Sequence, residues 1–226
     1  MGYSVGRSHI SEAQWDHFWE QGYVRIGKVA TDEEVAELRA EIDKVAIGRG
    51  SDPLAFRKIE ELYSNPVFVS YMQKPIFREA CGEVYGGRTS ISCYRAMVMN
   101  KPSTGGYRLE WHQDHWGEII PNPLLVTHTA LDQATIENGC LWIAPKSHDI
   151  EGGDDAEHYE QWKKDVLAGI EPVAIEMEPG DAILMHNYTL HSSGENKTNK
   201  QRRIFNACYM PSRTKSRDGR EFVKMF

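Results

Sequence analysis

The stretch EWHQDHWG, Glu110 to Gly117, sets His112 and Asp114 one residue apart between Trp111 and Trp116. In an extended strand, side chains two apart project to one face, so an imidazole nitrogen and a carboxylate oxygen converge there. Two such donors hold a divalent ion poorly, and a third must come from elsewhere in the chain. The segment PGDAILMHNYTLHSSG supplies candidates: a tight turn and strand that carry Asp181, His186 and His191 into a Ser/Gly-rich stretch. His191 is the favoured third donor, with His186 as its rival. Two histidines and one carboxylate leave coordination positions open, the set used by non-haem Fe(II) oxygenases, and zinc with three protein ligands and a water uses similar residues. Spacing does not choose between the metals, and His-x-Asp taken alone is also compatible with a hydrogen-bonded surface pair.

Arg202, at the head of RRIFNACYM, tilts the choice. A guanidinium is a planar fork that matches a carboxylate, so an arginine near the metal can anchor the far end of a keto-diacid whose near end chelates the ion. A hydrolase has no need of it. Arg202 and Arg203 face opposite sides of a strand, which sends Arg203 to the surface. Trp116 shares the face of His112 and Asp114 and is a candidate wall of a substrate pocket, with ordinary packing as its alternative; Gln113 and His115 fall on the other phase. Arg95 and Lys101 lie in phase on YRAMVMNK, where positive charge at the sheet mouth would hold an anionic substrate, a surface ion pair being the plainer alternative. Asn138 and Gly139 read as turn residues.

These residues need a β-rich scaffold, and the chain supplies one after a helical start. Ser11 with Gln14 and Thr31 with Glu34 form capping boxes that open two helices. Trp15, Phe18 and Trp19 in the first, and Val35, Leu38, Ile42 and Val45 in the second, repeat at helical spacing and mark packing faces. Between them YVRI, Tyr23 to Ile26, reads as a short strand, and a third helical region spans Leu54 to Tyr85 with breaks at Pro66 and Pro75. From Ser90 onward ISCYRAMVM, LLVTHTAL, CLWIAP, VAIEM, DAILMH and RRIFNACYM are strand-like runs. The turns ENG (Glu137 to Gly139) and EPGD (Glu178 to Asp181) place glycine where a positive φ is expected. The expected organisation is one domain over 1–226: a mostly helical part at 1–87, a β core at 88–212 and a tail at 213–226.

Bulk properties narrow the function. A net charge of −7 and a pI near 5.7 argue against a nucleic-acid partner, since phosphate binding needs a basic face. The basic run Arg213 to Arg220 reads as a solvated tail. No apolar run is long enough for a bilayer and no leader is evident, so a cytoplasmic protein with no membrane partner is expected. The four cysteines, Cys81, Cys93, Cys140 and Cys208, form no CxxC pair and read as buried free thiols.

Taken in order, an FWEQGYVRI opening, MNKP at Met99 to Pro102, WHQDHW, ENGCLWIAPKSH, the PGD turn and HSSGENKTNKQRR resemble the phytanoyl-CoA dioxygenase family over most of the chain. The resemblance implies a mainly β fold with flanking helices, a double-stranded β-helix (jelly roll, cupin-like) core under an N-terminal helical cap. It implies Fe(II), 2-oxoglutarate and O2, with ascorbate as a stimulant. The family's iron ligands fall on His112, Asp114 and His191, which makes them the catalytic centre, and its co-substrate arginine on Arg202. Ser193 falls where a hydroxyl helps hold the 2-oxoglutarate carboxylate, and His128 where at least one relative has a pocket tryptophan. The implied reaction couples oxidative decarboxylation of 2-oxoglutarate to succinate and CO2 with hydroxylation of an unactivated C–H bond. Iron halogenases need the carboxylate's position free for chloride, so Asp114 implies oxygen chemistry. A non-catalytic cupin-like binding protein and a zinc hydrolase remain the competing classes. A lid from Asp149 to Ala168 with the N-terminal helices suits a small-molecule substrate, in a monomer or homodimer.

Overall fold

Both capping boxes form as the sequence dictates. In the computed structural model, which describes residues 9–103, 106–114, 119–120, 124–149 and 156–226, the Ser11 hydroxyl accepts from the Gln14 N–H at the start of α1 (Glu12–Gln21). Thr31 does the same with Glu34 before α2 (Asp32–Gly48). Trp15 and Phe18 are buried, whereas Trp19 stays 43% exposed with its ring at a steep angle to that of Phe18, so the expected packing face of α1 is narrower by one residue. Strand β1 (Tyr23–Lys28) runs between the two helices. The expected helical region from Leu54 to Tyr85 does divide at Pro66 and Pro75, into α3 (Pro66–Met72) and α4 (Pro75–Tyr85), but its first part is β2 (Lys58–Ile59) and a 3-10 turn. Pro66 and Pro75 start these helices, because a proline at the first helical position loses no hydrogen bond and already has the right φ.

The remaining elements are β3 (Ile91–Lys101), β4 (Leu109–His112), β5 (Ile119–Ile120), β6 (Leu125–Ala130), β7 (Leu141–Ile143), α5 (Ala156–Gly169), β8 (Val173–Ile175), β9 (Asp181–His186), β10 (His191–Ser193), β11 (Arg202–Pro211), β12 (Lys215–Ser216) and β13 (Val223–Lys224). A large antiparallel sheet runs β1-β9-β6-β11-β3-β13, with β2 also on β3, and a smaller one runs β4-β10-β7-β8. This is the mainly β sandwich with flanking helices that the sequence implied. The last residues are not a free tail: β12 pairs with β5, β13 pairs with β3, and Met225 is buried.

Alternation along the strands divides the apolar residues. Leu125, Phe205, Ala207 and Tyr209 face the helical layer of α1 to α4, while Val126, Ala130, Ile204, Cys208 and Met210 face inward to meet Ile143 and Ile175 of the smaller sheet. Helix α5 lies against the outside of the smaller sheet, where Val166 joins Ala144 and Leu190 with Trp111 and Trp162 beside them. The expected lid segment therefore braces the sheet in its helical part; residues 150–155 of it lie outside the described residues. All four cysteines are buried free thiols, as the spacing suggested.

Arg203 corrects another expectation. It points away from Arg202, as alternation requires, but it is only 6% exposed. Its guanidinium clamps Asp132 at 2.8 Å (Nε to Oδ2) and 3.1 Å (Nη2 to Oδ1), with Arg39 on the same carboxylate at 3.0 Å and Asp43 at 3.3 Å from Nη1. The helical layer covers this face of β11, so a cation there needs carboxylates. Asp132→Ala leaves that cation without its main partner, and a loss of about 3 kcal/mol is expected as a lower urea midpoint at unchanged slope.

Candidate metal centre

Antiparallel pairing of β4 with β10 sets His112 directly opposite His191, with ring centroids 4.2 Å apart. The ladder then slips, because Ser193 faces Leu109, so three steps of β4 answer two of β10. Alternation sends Trp111 outward toward α5, and the bulge brings Leu109 to the cavity side with His112. β4 ends at His112, so strand alternation alone does not carry Asp114 inward. Its backbone is pinned instead to the turn before β10: the Asp114 N–H donates to the Asn187 carbonyl at 2.9 Å, and Asn187 Nδ2 donates back at 3.1 Å. His112 Nε2 and Asp114 Oδ1 come within 3.9 Å, and one ligand atom from each of His112, Asp114 and His191 lies within 4.8 Å of the others. A single ion can bridge that set.

Each imidazole is oriented for the purpose. His112 Nδ1 lies 2.7 Å from the Glu110 carbonyl and His191 Nδ1 2.8 Å from the Thr189 carbonyl. A carbonyl only accepts, so the proton sits on Nδ1 and the Nε2 lone pair is left for a metal. Burial, reinforced by His112, holds His191 well below the usual histidine range, which keeps it neutral. Burial pushes the Asp114 carboxyl up, while His112 and Arg95 oppose the rise; a cation between the donors would favour the carboxylate.

These donors line a cavity of about 250 Å³ that also takes in Arg95, Met97, Lys101, His128, Ser193 and Arg202. Arg202 is 4% exposed; its Nη2 donates to the Gly139 carbonyl at 2.6 Å, and its Nε has no partner among the described residues. Lys101 faces it across β3 and β11, is 1% exposed, donates to the Tyr107 carbonyl and lies 4.6 Å from the Tyr107 ring centre. Burial lowers Arg202 to about 10. Burial and the neighbouring Arg202 lower Lys101 to about 7. His128 is opposite Asn206 and 6.3 Å from the His191 ring; burial lowers it to about 4. His128 Nε2 and Asn206 Oδ1 also lack partners among the described residues. Buried polar atoms are seldom left unpaired, so a cavity with three of them beside a two-histidine, one-carboxylate cluster fits a metal with a carboxylate-bearing ligand.

His112, Asp114, His191, Arg202, Ser193, His128, Arg95 and Lys101 thus all line one cavity, while Trp116 and His115 lie outside the described residues. Arg95 and Lys101 share a face but not a neighbourhood: Lys101 pairs with Arg202 and Arg95 with Cys208, near opposite ends of β11. His186 is elsewhere, its Nδ1 accepting from the Tyr188 N–H at 3.1 Å and its ring 5.2 Å from that of His148. Gly139, expected to serve only a turn, has the positive φ of 80° but also offers Arg202 its carbonyl; an added Cβ would lie 2.3 Å from the Gly194 oxygen. The ENG turn signalled the φ, and nothing local signalled the carbonyl's partner. Asn187 and Tyr107 were likewise missed.

The model of the phytanoyl-CoA dioxygenase (PhyH) family matches residues 18–204. A probable phytanoyl-CoA dioxygenase of Caenorhabditis elegans is 28% identical over 69% of this chain, which spans about half (54%) of that relative's length. A methylphosphonate hydroxylase of Gimesia maris is 26% identical over 88% of this chain and 80% of its own. The crystal structure of SnoK, a non-haem alpha-ketoglutarate-dependent carbocyclase from nogalamycin biosynthesis, superposes with a TM-score of 0.80 at 22% identity, covering 96% of this chain and 90% of that one, and so shares the fold. Calorimetric titration with Mn(II) is expected to show one equivalent bound, with affinity down by roughly 100-fold or more in His191→Ala and unchanged in His186→Ala.

Proposed function

The chain belongs to the phytanoyl-CoA dioxygenase family, and from that premise we propose that it is a non-haem Fe(II)- and 2-oxoglutarate-dependent dioxygenase that hydroxylates an unactivated C–H bond of a small organic molecule. The observation that carries this reading is the convergence of His112, Asp114 and His191 within 4.8 Å in a cavity that also contains the buried Arg202. The three side chains are the proposed iron ligands. When bound, Fe(II) would couple oxidative decarboxylation of 2-oxoglutarate by O2, giving succinate and CO2, to oxidation of the substrate.

The protein's own residues set what enters and how it lies. Arg202, with Nε free of described partners, is the proposed anchor for the distal carboxylate of 2-oxoglutarate, and Ser193, buried in the same cavity on the smaller sheet, is a further donor to it. Lys101 adds a second cation beside Arg202 and so raises the preference for a dianionic co-substrate. Neutral His128 between the triad and Arg202 offers a donor or acceptor without adding charge. Met97 and Met99 supply an adaptable apolar wall that excludes water from the oxidation. A cavity of about 250 Å³ suits a small substrate. Hydroxylation is the proposed outcome, although named relatives and neighbours span a hydroxylase and a carbocyclase.

Anaerobic addition of Fe(II) and 2-oxoglutarate is expected to give a visible charge-transfer band, and its absence together with the absence of 2-oxoglutarate binding would end this reading. Binding without succinate formation across a metabolite panel would favour a binding protein. Arg202→Ala is expected to raise the 2-oxoglutarate KM roughly 100-fold, the effect of about 3 kcal/mol for a lost buried charge pair; a zinc hydrolase would be indifferent. Because Lys101 is depressed to about 7 it is cationic only below that pH, so 2-oxoglutarate affinity should fall as pH rises above about 7, and the fall should flatten in Lys101→Met.

A further inference from the structure

The end of the cavity away from Arg202 carries its own cationic site. The pairing of β3 with β11 slips where Cys208 faces Arg95 but Tyr209 faces Cys93, leaving Tyr94 as the extra residue of a β-bulge. Tyr94 and Arg95 therefore both turn inward: Tyr94 joins the apolar cluster between the sheets, and Arg95 lines the cavity on the Asp114 side. The Arg95 guanidinium carbon lies 5.6 Å from the Tyr94 ring centre. That of Arg220, from the segment leading into β13, lies 5.5 Å from Tyr94 and 5.3 Å from Phe222. The two guanidiniums thus lie against the same Tyr94 ring, and of the two it is Arg95 that lines the cavity.

Charge points the same way. The lining holds Lys58, Arg95, Lys101 and Arg202 against Glu60 and Asp114, a positive surplus in a chain whose net charge is −7. Lys58 is paired with Glu60 at 3.1 Å, and Lys101 and Arg202 stand together at the far end, where the proposed function puts the co-substrate. Arg95 is about 20 Å along the strand from Lys101, well out of reach of that same carboxylate.

Resting on the function proposed above, the geometry points to a substrate that carries an oxyanion group, a carboxylate, phosphonate or sulfonate, held by Arg95, so that the C–H bond to be oxidised lies toward the metal. Arg95 selects the substrate by charge, and its forked donors fix which end of the molecule approaches the triad. Arg95 also faces Asp114, so a plainer role would be to neutralise that carboxylate, and the two roles differ in what the variant loses.

The test uses the anaerobic enzyme loaded with Fe(II) and saturating 2-oxoglutarate, with phenylphosphonate as the anionic probe and benzamide as the neutral one, read by perturbation of the charge-transfer band and by calorimetry. Expected are saturable phenylphosphonate binding, none by benzamide, and roughly tenfold or greater weakening of the phosphonate in Arg95→Gln with partial recovery in Arg95→Lys, while the 2-oxoglutarate titration is unmoved. The inference is overturned if phenylphosphonate does not bind, binds Arg95→Gln as well as the parent, competes with 2-oxoglutarate, or if Arg95→Gln loses metal in place of probe. A parent enzyme with no band and no 2-oxoglutarate binding defeats the underlying function itself, which is a separate result.

Discussion

Everything in the site depends on the backbone pairing of β4 with β10. Those two short strands hold no long apolar run, and their hydrogen bonds alone would not keep them together in water. They persist because the smaller sheet is clamped from both sides, by the apolar layer shared with the large sheet and by α5 with Trp111, Val166 and Leu190 on the outside. The pairing sets His112 against His191. The Asn187 bonds then swing Asp114 into the same space, so backbone geometry fixes the donor set before any ion arrives.

The interior of the sandwich pulls in two directions. Apolar side chains of the two sheets close it, yet Arg202, Lys101, His128 and Asn206 sit on the same inner faces, with several polar atoms unpaired among the described residues. Each unpaired buried atom costs on the order of 1–3 kcal/mol. The helical layer on the far side of the large sheet offsets such terms through a second interface with an apolar centre of Phe18, Phe68, Phe77, Phe205 and Tyr209. Stability and chemistry are thereby housed on opposite faces of one sheet, with β11 contributing Phe205 to one and Arg202 to the other.

Much of this was legible in the residues because short-range rules govern it. The capping boxes, the strand runs and the glycines of ENG and PGD depend on local hydrogen bonds and φ, which a linear sequence displays. His112, Asp114, His191 and Arg202 were legible through their order and type. What escaped reading was long-range. The β4 bulge reverses the phase of Leu109, Arg203 is buried because a helix brings Asp43 beside it, and the Gly139 carbonyl meets a guanidinium 63 positions away. Pro66 and Pro75 were read as interruptions because a proline looks the same at the start of a helix as at its end.

The buried cysteines give the molecule an internal reporter. Burial pushes the thiols of Cys81, Cys93, Cys140 and Cys208 upward, so the thiolate that attacks maleimides or disulfide reagents is scarce in the native chain. Cys81 and Cys93 belong to the helix-covered cluster, Cys140 and Cys208 to the cluster between the sheets. Alkylation resolved by peptide therefore tells which of the two interfaces opens first under heat or denaturant, with no label added to the protein.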